Sequence, residues 1–189
     1  MEVIDGSPYA LLAGLGADQS GVRVRRLDPD SGVPVWSQPV QLDEMPAPVT
    51  GASLHAGGAG RLVAVVYYDV DRSPAPPERR QAILSLDAVS GVVRWQAALA
   101  RQRLPFVDAG AEAQPTSTAE GSVYVRSSSC VNPPSCGENL PLVVRLSAVD
   151  GHVLWSVPSS GNLLGVRGSD LIVGRSGSFN ALAVMAAVN

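Results

Sequence analysis

The three tryptophans of this 189-residue chain, Trp36, Trp95 and Trp155, lie 59 and 60 residues apart, and each closes the same short stretch. The stretches are Leu27-Asp28-Pro29-Asp30-Ser31-Gly32-Val33-Pro34-Val35-Trp36, Leu86-Asp87-Ala88-Val89-Ser90-Gly91-Val92-Val93-Arg94-Trp95 and Leu146-Ser147-Ala148-Val149-Asp150-Gly151-His152-Val153-Leu154-Trp155. The shared text is Leu-(Asp/Ser)-x-x-(Ser/Asp)-Gly-x-x-x-Trp. A period of this length means that one supersecondary unit is built several times and stacked on itself. Within each copy an apolar and a polar residue close a strand, and the glycine supplies the positive φ of a tight turn. A second strand then carries the tryptophan inward, which makes a β-hairpin. An indole buries a large apolar area and has one N–H to satisfy, so it suits the contact between neighbouring units.

Each unit reads as four short strands. The second runs Pro48–Leu54, Arg61–Tyr68, Gln81–Asp87 and Val92–Ala98; the third Gln114–Thr118, Ser122–Ser127, Leu142–Ser147 and His152–Val157. The first is expected to start late, with Tyr9–Gly14, Val22–Asp28 and Val35–Val40, and the fourth offers Leu163–Val166, Asp170–Gly174 and Phe179–Val184. No stretch shows a capped 3.6-residue period, so helix content is expected to be low. Four strands per unit predicts a β-propeller blade. The expected blades are residues 1–47, 48–110, 111–160 and an incomplete 161–189, together one partial all-β propeller domain. Propellers typically close with about four to eight blades. The chain therefore reads as a fragment of a longer propeller, with an open arc completed by self-association or a short closed ring as the other possibilities. Ser73–Arg80, Ser127–Leu140 and Arg101–Ala113 read as loops, where binding usually resides on a rigid scaffold.

The repeat resembles the PQQ-type repeat, the Trp-docking motif of eight-bladed quinoprotein propellers and of BamB-like outer-membrane assembly lipoproteins. That family's stretch is Ala-x-Asp-x-x-Thr-Gly-x-x-x-Trp. Its Asp, Gly and Trp match Asp28, Gly32 and Trp36, and again Asp87, Gly91 and Trp95. In the third copy Ser147 replaces the Asp, while Gly151 and Trp155 match; the family's Ala is Arg26, Ser85 and Arg145 here. A fourth copy is expected to start at Ala181-Leu182, with Ala187 in the Gly position and no Trp. Quinoprotein dehydrogenases of this family use an Asp base, a calcium ion held by Glu and Asn, and a vicinal Cys-Cys ring. The chain has no Cys-Cys pair, and no Glu/Asn set matches residue by residue. The resemblance thus implies the repeat and the fold, and gives no warrant for the cofactor.

All 14 basic residues are arginine, a usage that fits a GC-rich genome, and the net charge is −3, which leaves no basic footprint for nucleic acid. The apolar runs Tyr9–Leu15 and Ala181–Val188 fall far short of the ~20 residues of a membrane helix, so no membrane insertion by this segment is expected. Glu2 and Asp5 and the lack of a basic start do not fit a secretory signal. Cys130 and Cys136 flank Val-Asn-Pro-Pro-Ser, a spacing compatible with a small disulfide ring on a loop, with free thiols, or with a metal site lacking its further ligands. The disulfide is the leading reading and, with the family resemblance, suggests an extracytoplasmic setting: periplasm, cell surface or secreted.

Asp28-Pro29-Asp30-Ser31-Gly32 resembles the start of a calcium loop, but position twelve is Pro39, where the loop needs Glu, so a turn is expected. Gly57-Gly58-Ala59-Gly60 lacks the Lys-Ser/Thr of a phosphate loop, and Ser178 breaks the nucleophile-elbow pattern at Gly174–Ser178. Asp69 and Asp71 read as solvent-facing; His152 reads as an exposed strand residue, and nothing gathers a triad around His55. No catalytic, cofactor-binding or metal residues are assigned and no cofactor is expected. The function expected is a non-enzymatic interaction or scaffold module with a protein partner and self-association at exposed blade edges. A fragment of a PQQ- and calcium-dependent quinoprotein dehydrogenase and the ligand-sensing ectodomain of a bacterial receptor such as a receptor kinase are the alternatives.

Overall fold

The computed structural model describes residues 2–4, 6–15, 21–42, 48–103, 116–117, 122–127, 142–158, 161–167, 170–175 and 182–186. Cys130 and Cys136, with the whole loop proposed for them, lie outside the described residues. Every regular element described is a strand, and no helix is long and apolar enough to cross a membrane. The strands form four antiparallel sheets, each a meander of sequence neighbours. The first holds β1 (Glu2–Ile4), β2 (Ser7–Leu15), β3 (Gly21–Leu27) and β4 (Pro34–Val40). The second holds β5 (Val49–Gly58), β6 (Arg61–Arg72), β7 (Ala75–Asp87) and β8 (Val93–Arg103). The third holds β9 (Thr116–Ser117), β10 (Ser122–Ser127), β11 (Leu142–Ser147) and β12 (Val153–Pro158). The fourth holds β13 (Gly161–Arg167), β14 (Asp170–Arg175) and β15 (Leu182–Ala186). The first three are four-stranded blades of a propeller and the fourth shows three strands among the described residues, an incomplete propeller.

The middle sheet explains why its strands read as unbroken apolar runs. Leu62, Ala64, Val66 and Tyr68 of β6 pack with Tyr9, Val22, Val24 and Val40 of the first sheet. Val63 and Val65 point the other way and pack with Val123, Val125, Val144 and Leu146 of the third. Side chains alternate along a strand, so a sheet clamped between two others must be apolar at every position. Ala82, Leu84 and Leu86 of β7 face the first core while Ile83 faces the second, and all are at most 1% exposed. The first sheet differs on its outward side. Arg23 and Arg25 occupy the positions that Ala82 and Leu84 occupy in the second sheet, and both bond the Ser37 hydroxyl (3.3 Å each).

Three expectations need correction. The first sheet has a fourth strand, because Glu2–Ile4 pairs with Ser7–Tyr9 across the turn at Gly6. Ser73–Arg80 is not a loop: β6 and β7 form one long hairpin, with Asp69 opposite Arg79 and Val70 opposite Glu78. Pro76 and Pro77 sit where the register shifts between Val70 and Arg72, the place in a ladder that tolerates a missing N–H. The fourth copy is displaced by three residues. Met185 pairs with Leu171 as Leu146 pairs with Val123, and Ala186 takes the place of Ser147.

Tryptophan docks and a candidate interaction rim

Each turn between the third and fourth strands is built the same way. In the first, the Asp28 amide donates to Val33 O (2.8 Å) and the Gly32 amide to Asp28 O (2.9 Å). Asp28 Oδ1 accepts from the Ser31 amide and hydroxyl (2.8 Å each) and from the Asp30 amide (3.2 Å). The second repeats this: Asp87 Oδ1 accepts from the amides of Ser90 (2.9 Å) and Val89 (3.1 Å) and from the Ser90 hydroxyl (3.0 Å), while Arg94 pairs with Oδ2. In the third, Ser147 Oγ accepts from the Val149 amide (3.2 Å), and Asp150 Oδ1 meets His152 Nδ1 at 2.6 Å. The carboxylate at the head of the turn is a backbone-capping acceptor, the reason the repeat wants Asp or Ser there. These bonds hold the acids ionised. The Ser31 amide, chiefly, lowers Asp28; the Ser90 amide and then Arg94 lower Asp87; Ser147 and then His152 lower Asp150 to about 2.

Gly32, Gly91 and Gly151 have φ of 68°, 75° and 75°. On two of them the previous sheet lays its indole. A Cβ at Gly91 would lie 2.7 Å from Trp36 Cε3, and one at Gly151 would lie 2.4 Å from Trp95 Cε3. At Gly32 nothing lies within 4 Å. The structure thus brings Trp36 to Gly91 and Trp95 to Gly151, while Asp87 and Ser147 head the turns that present the carbonyls of Ala88 and Ala148. Trp95 Nε1 donates to Ala148 O (2.8 Å) and so does Arg61 (2.6 Å). In the first dock the corresponding carbonyl, Ala88 O, accepts instead from the Tyr9 hydroxyl (3.1 Å). Trp36 Nε1 is buried without a hydrogen-bond partner, and the Tyr9 and Trp36 ring centroids are 6.1 Å apart. Trp155, the third, packs edge-on against Tyr124 (5.8 Å), with its buried Nε1 also unpartnered. Tyr9, Arg61 and Tyr124 sit on second strands, outside the repeated text; the only sequence hint was the shared Ser-x-Tyr of Ser7-Pro8-Tyr9 and Ser122-Val123-Tyr124.

The same turns carry the exposed apolar surface. Val33, Val35, Val89, Val92, Val149, Val153 and Leu154 all lie on the three repeat stretches, and of the large exposed apolar side chains described only Val3 lies elsewhere. Val149 is 77% and Val89 70% exposed. Neighbouring turns are separated by one docked indole, so Val33, Val89, Val92 and Val149 lie on one rim of successive turns, and Val35, Val153 and Leu154 follow them at the starts of the fourth strands. His152 is exposed on that rim; His55 lies on β5 opposite Val63. Among the described residues no group of three or more His, Cys, Asp or Glu could hold a metal ion.

Among known families, the one described as outer membrane protein assembly factor BamB matches residues 20–183. No curated protein matches the chain. Among solved structures, the crystal structure of BamB from Moraxella catarrhalis is similar at 15% identity and a TM-score of 0.32. The match covers 85% of this chain and 54% of that one, so the chain spans about half its length.

Proposed function

This chain belongs to the family of the outer membrane protein assembly factor BamB, and from that membership we propose that it is a non-enzymatic β-propeller module that binds other proteins in an extracytoplasmic compartment. One observation carries the reading: exposed apolar side chains are gathered on one rim of the repeat turns. Isolated exposed valines are ordinary on a protein surface, whereas a contiguous series framed by polar groups is what an interaction site looks like. The repeat residues themselves are engaged in the scaffold. Gly91, Gly151, Trp36 and Trp95 fill the docks, and Asp28 and Asp87 cap their own turns.

A photo-crosslinking residue at Val89 or Val149, in the chain expressed in a bacterial envelope, tests the reading. Adducts with a defined polypeptide are expected from these positions and not from Arg25, on the outward face of the first sheet. Titration with calcium and pyrroloquinoline quinone is the second arm. No quenching of tryptophan fluorescence is expected; saturable quenching with dye-linked alcohol oxidation would replace this reading with the dehydrogenase.

A further inference from the structure

The rim is not uniform in charge. On the first turn, among the described residues, Asp28 accepts from backbone amides and the Ser31 hydroxyl, the exposed Asp30 side chain has no hydrogen-bond partner, and neither carboxylate is paired with a cation. On the second turn Arg94 neutralises Asp87, and on the third His152 sits against Asp150. The nearby arginines are engaged elsewhere. Arg23 and Arg25 hold Ser37, Arg26 donates to Ser7 Oγ (3.1 Å), and Arg61 is bound to Ala148 O. Apolar exposure therefore runs the length of the rim, while negative charge is densest at one end: two carboxylates, Asp28 and Asp30, stand on the first turn, Asp87 is paired with Arg94, and Asp150 faces only His152, a cation only when protonated.

We propose that this rim binds a polypeptide segment that lays apolar side chains along the second and third turns and sets a basic residue over Asp28 and Asp30. The proposal rests on the reading of the chain as a protein-binding module and adds the chemistry of its partner. Complementary charge at the edge of an apolar contact sets partner choice and register more than raw affinity. An anionic lipid surface would meet the carboxylates with like charge, which favours the peptide.

The test measures fluorescence anisotropy of short labelled peptides against the full chain. The first probe alternates valine and serine and ends in two arginines; the second carries glutamates in their place. The arginine peptide is expected to bind at least tenfold more tightly than the glutamate peptide. Asp30→Asn should weaken it about threefold, and Asp30→Arg about tenfold, with the difference fading above about 0.5 M salt as screening shortens to a few ångströms. Asp30 is exposed and its side chain bonds nothing, so these variants keep the fold. Equal binding of the two peptides, indifference to Asp30→Arg, tighter binding to phosphatidylglycerol vesicles, or no binding of the arginine peptide below about 1 mM overturns the proposal. If both peptides bind equally and Val149→Glu abolishes both, the charge assignment fails and the interaction rim stands. If Val149→Glu changes nothing and Val89 and Val149 give no adducts in cells, the protein-binding reading fails with it.

Discussion

Replacing each turn glycine by alanine separates two effects that the repeat normally confounds. Gly32, Gly91 and Gly151 share the left-handed conformation, with φ from 68° to 75°, so the backbone strain of an added Cβ is nearly the same at all three, about 1–2 kcal/mol. The docks differ. The space at Gly32 is open, so Gly32→Ala should cost only that strain. At Gly91 the new Cβ would fall 2.7 Å from Trp36, and overpacking of this kind typically adds about 1–3 kcal/mol. At Gly151 it would fall 2.4 Å from Trp95, whose indole cannot retreat without stretching its bond to Ala148 O, a further ~1 kcal/mol. The expected losses are therefore about 1–2 kcal/mol for Gly32→Ala, about 2–5 for Gly91→Ala and about 3–6 for Gly151→Ala. Urea melts with an unchanged m value would measure them. Equal losses at the three sites, or the largest at Gly32, would refute the docking of each indole on the next turn.

Trp95→Phe should destabilise by about 1–2 kcal/mol more than Trp36→Phe in the same melts, because only Trp95 Nε1 donates to the neighbouring sheet. Tyr9→Phe should cost about 1 kcal/mol, since it strips Ala88 O of the donor that Tyr9 supplies in the first dock. The Asp150 carboxyl should titrate near 2 by NMR, below its usual 3.8. Because the folded value is lowered, its contribution to stability is present above about pH 4 and fades as the pH falls toward 2. Asp150→Asn should flatten that part of the acid-unfolding curve, and an unchanged curve counts against the Ser147 and His152 contacts. Cys130 and Cys136 should be oxidised in protein made in an oxidising compartment, with a mass two hydrogens short of the dithiol. Two alkylatable thiols would refute this, and loss of so small a ring should cost only about 1–2 kcal/mol.

The features legible in the sequence were those fixed by backbone conformation and by one large side chain. A turn that needs positive φ leaves glycine at Gly32, Gly91 and Gly151, and an indole over the next turn leaves tryptophan at a constant distance from it. The rest depends on contacts between units, which vary while the carbonyl they serve does not. Ala148 O is met by Trp95 and Arg61, and Ala88 O by Tyr9, so the same acceptor selects different residues on different strands and no shared text betrays them. Ser73–Arg80 departs from expectation for a related reason: its prolines and charges are turn-like in composition, yet the segment continues a hairpin ladder and the prolines fall at its shift in register. The rim was the least legible part. Val33, Val89 and Val149 fall at positions of the turn that the repeated text leaves open, where the sequence says nothing of exposure, and only the structure shows that these valines stand 60% to 77% exposed. A repeat that commits its glycines and tryptophans to stacking leaves the intervening positions free to vary. Specificity for a partner is therefore expected at Asp30, Val89, Val149 and their neighbours, and not in the residues that define the motif.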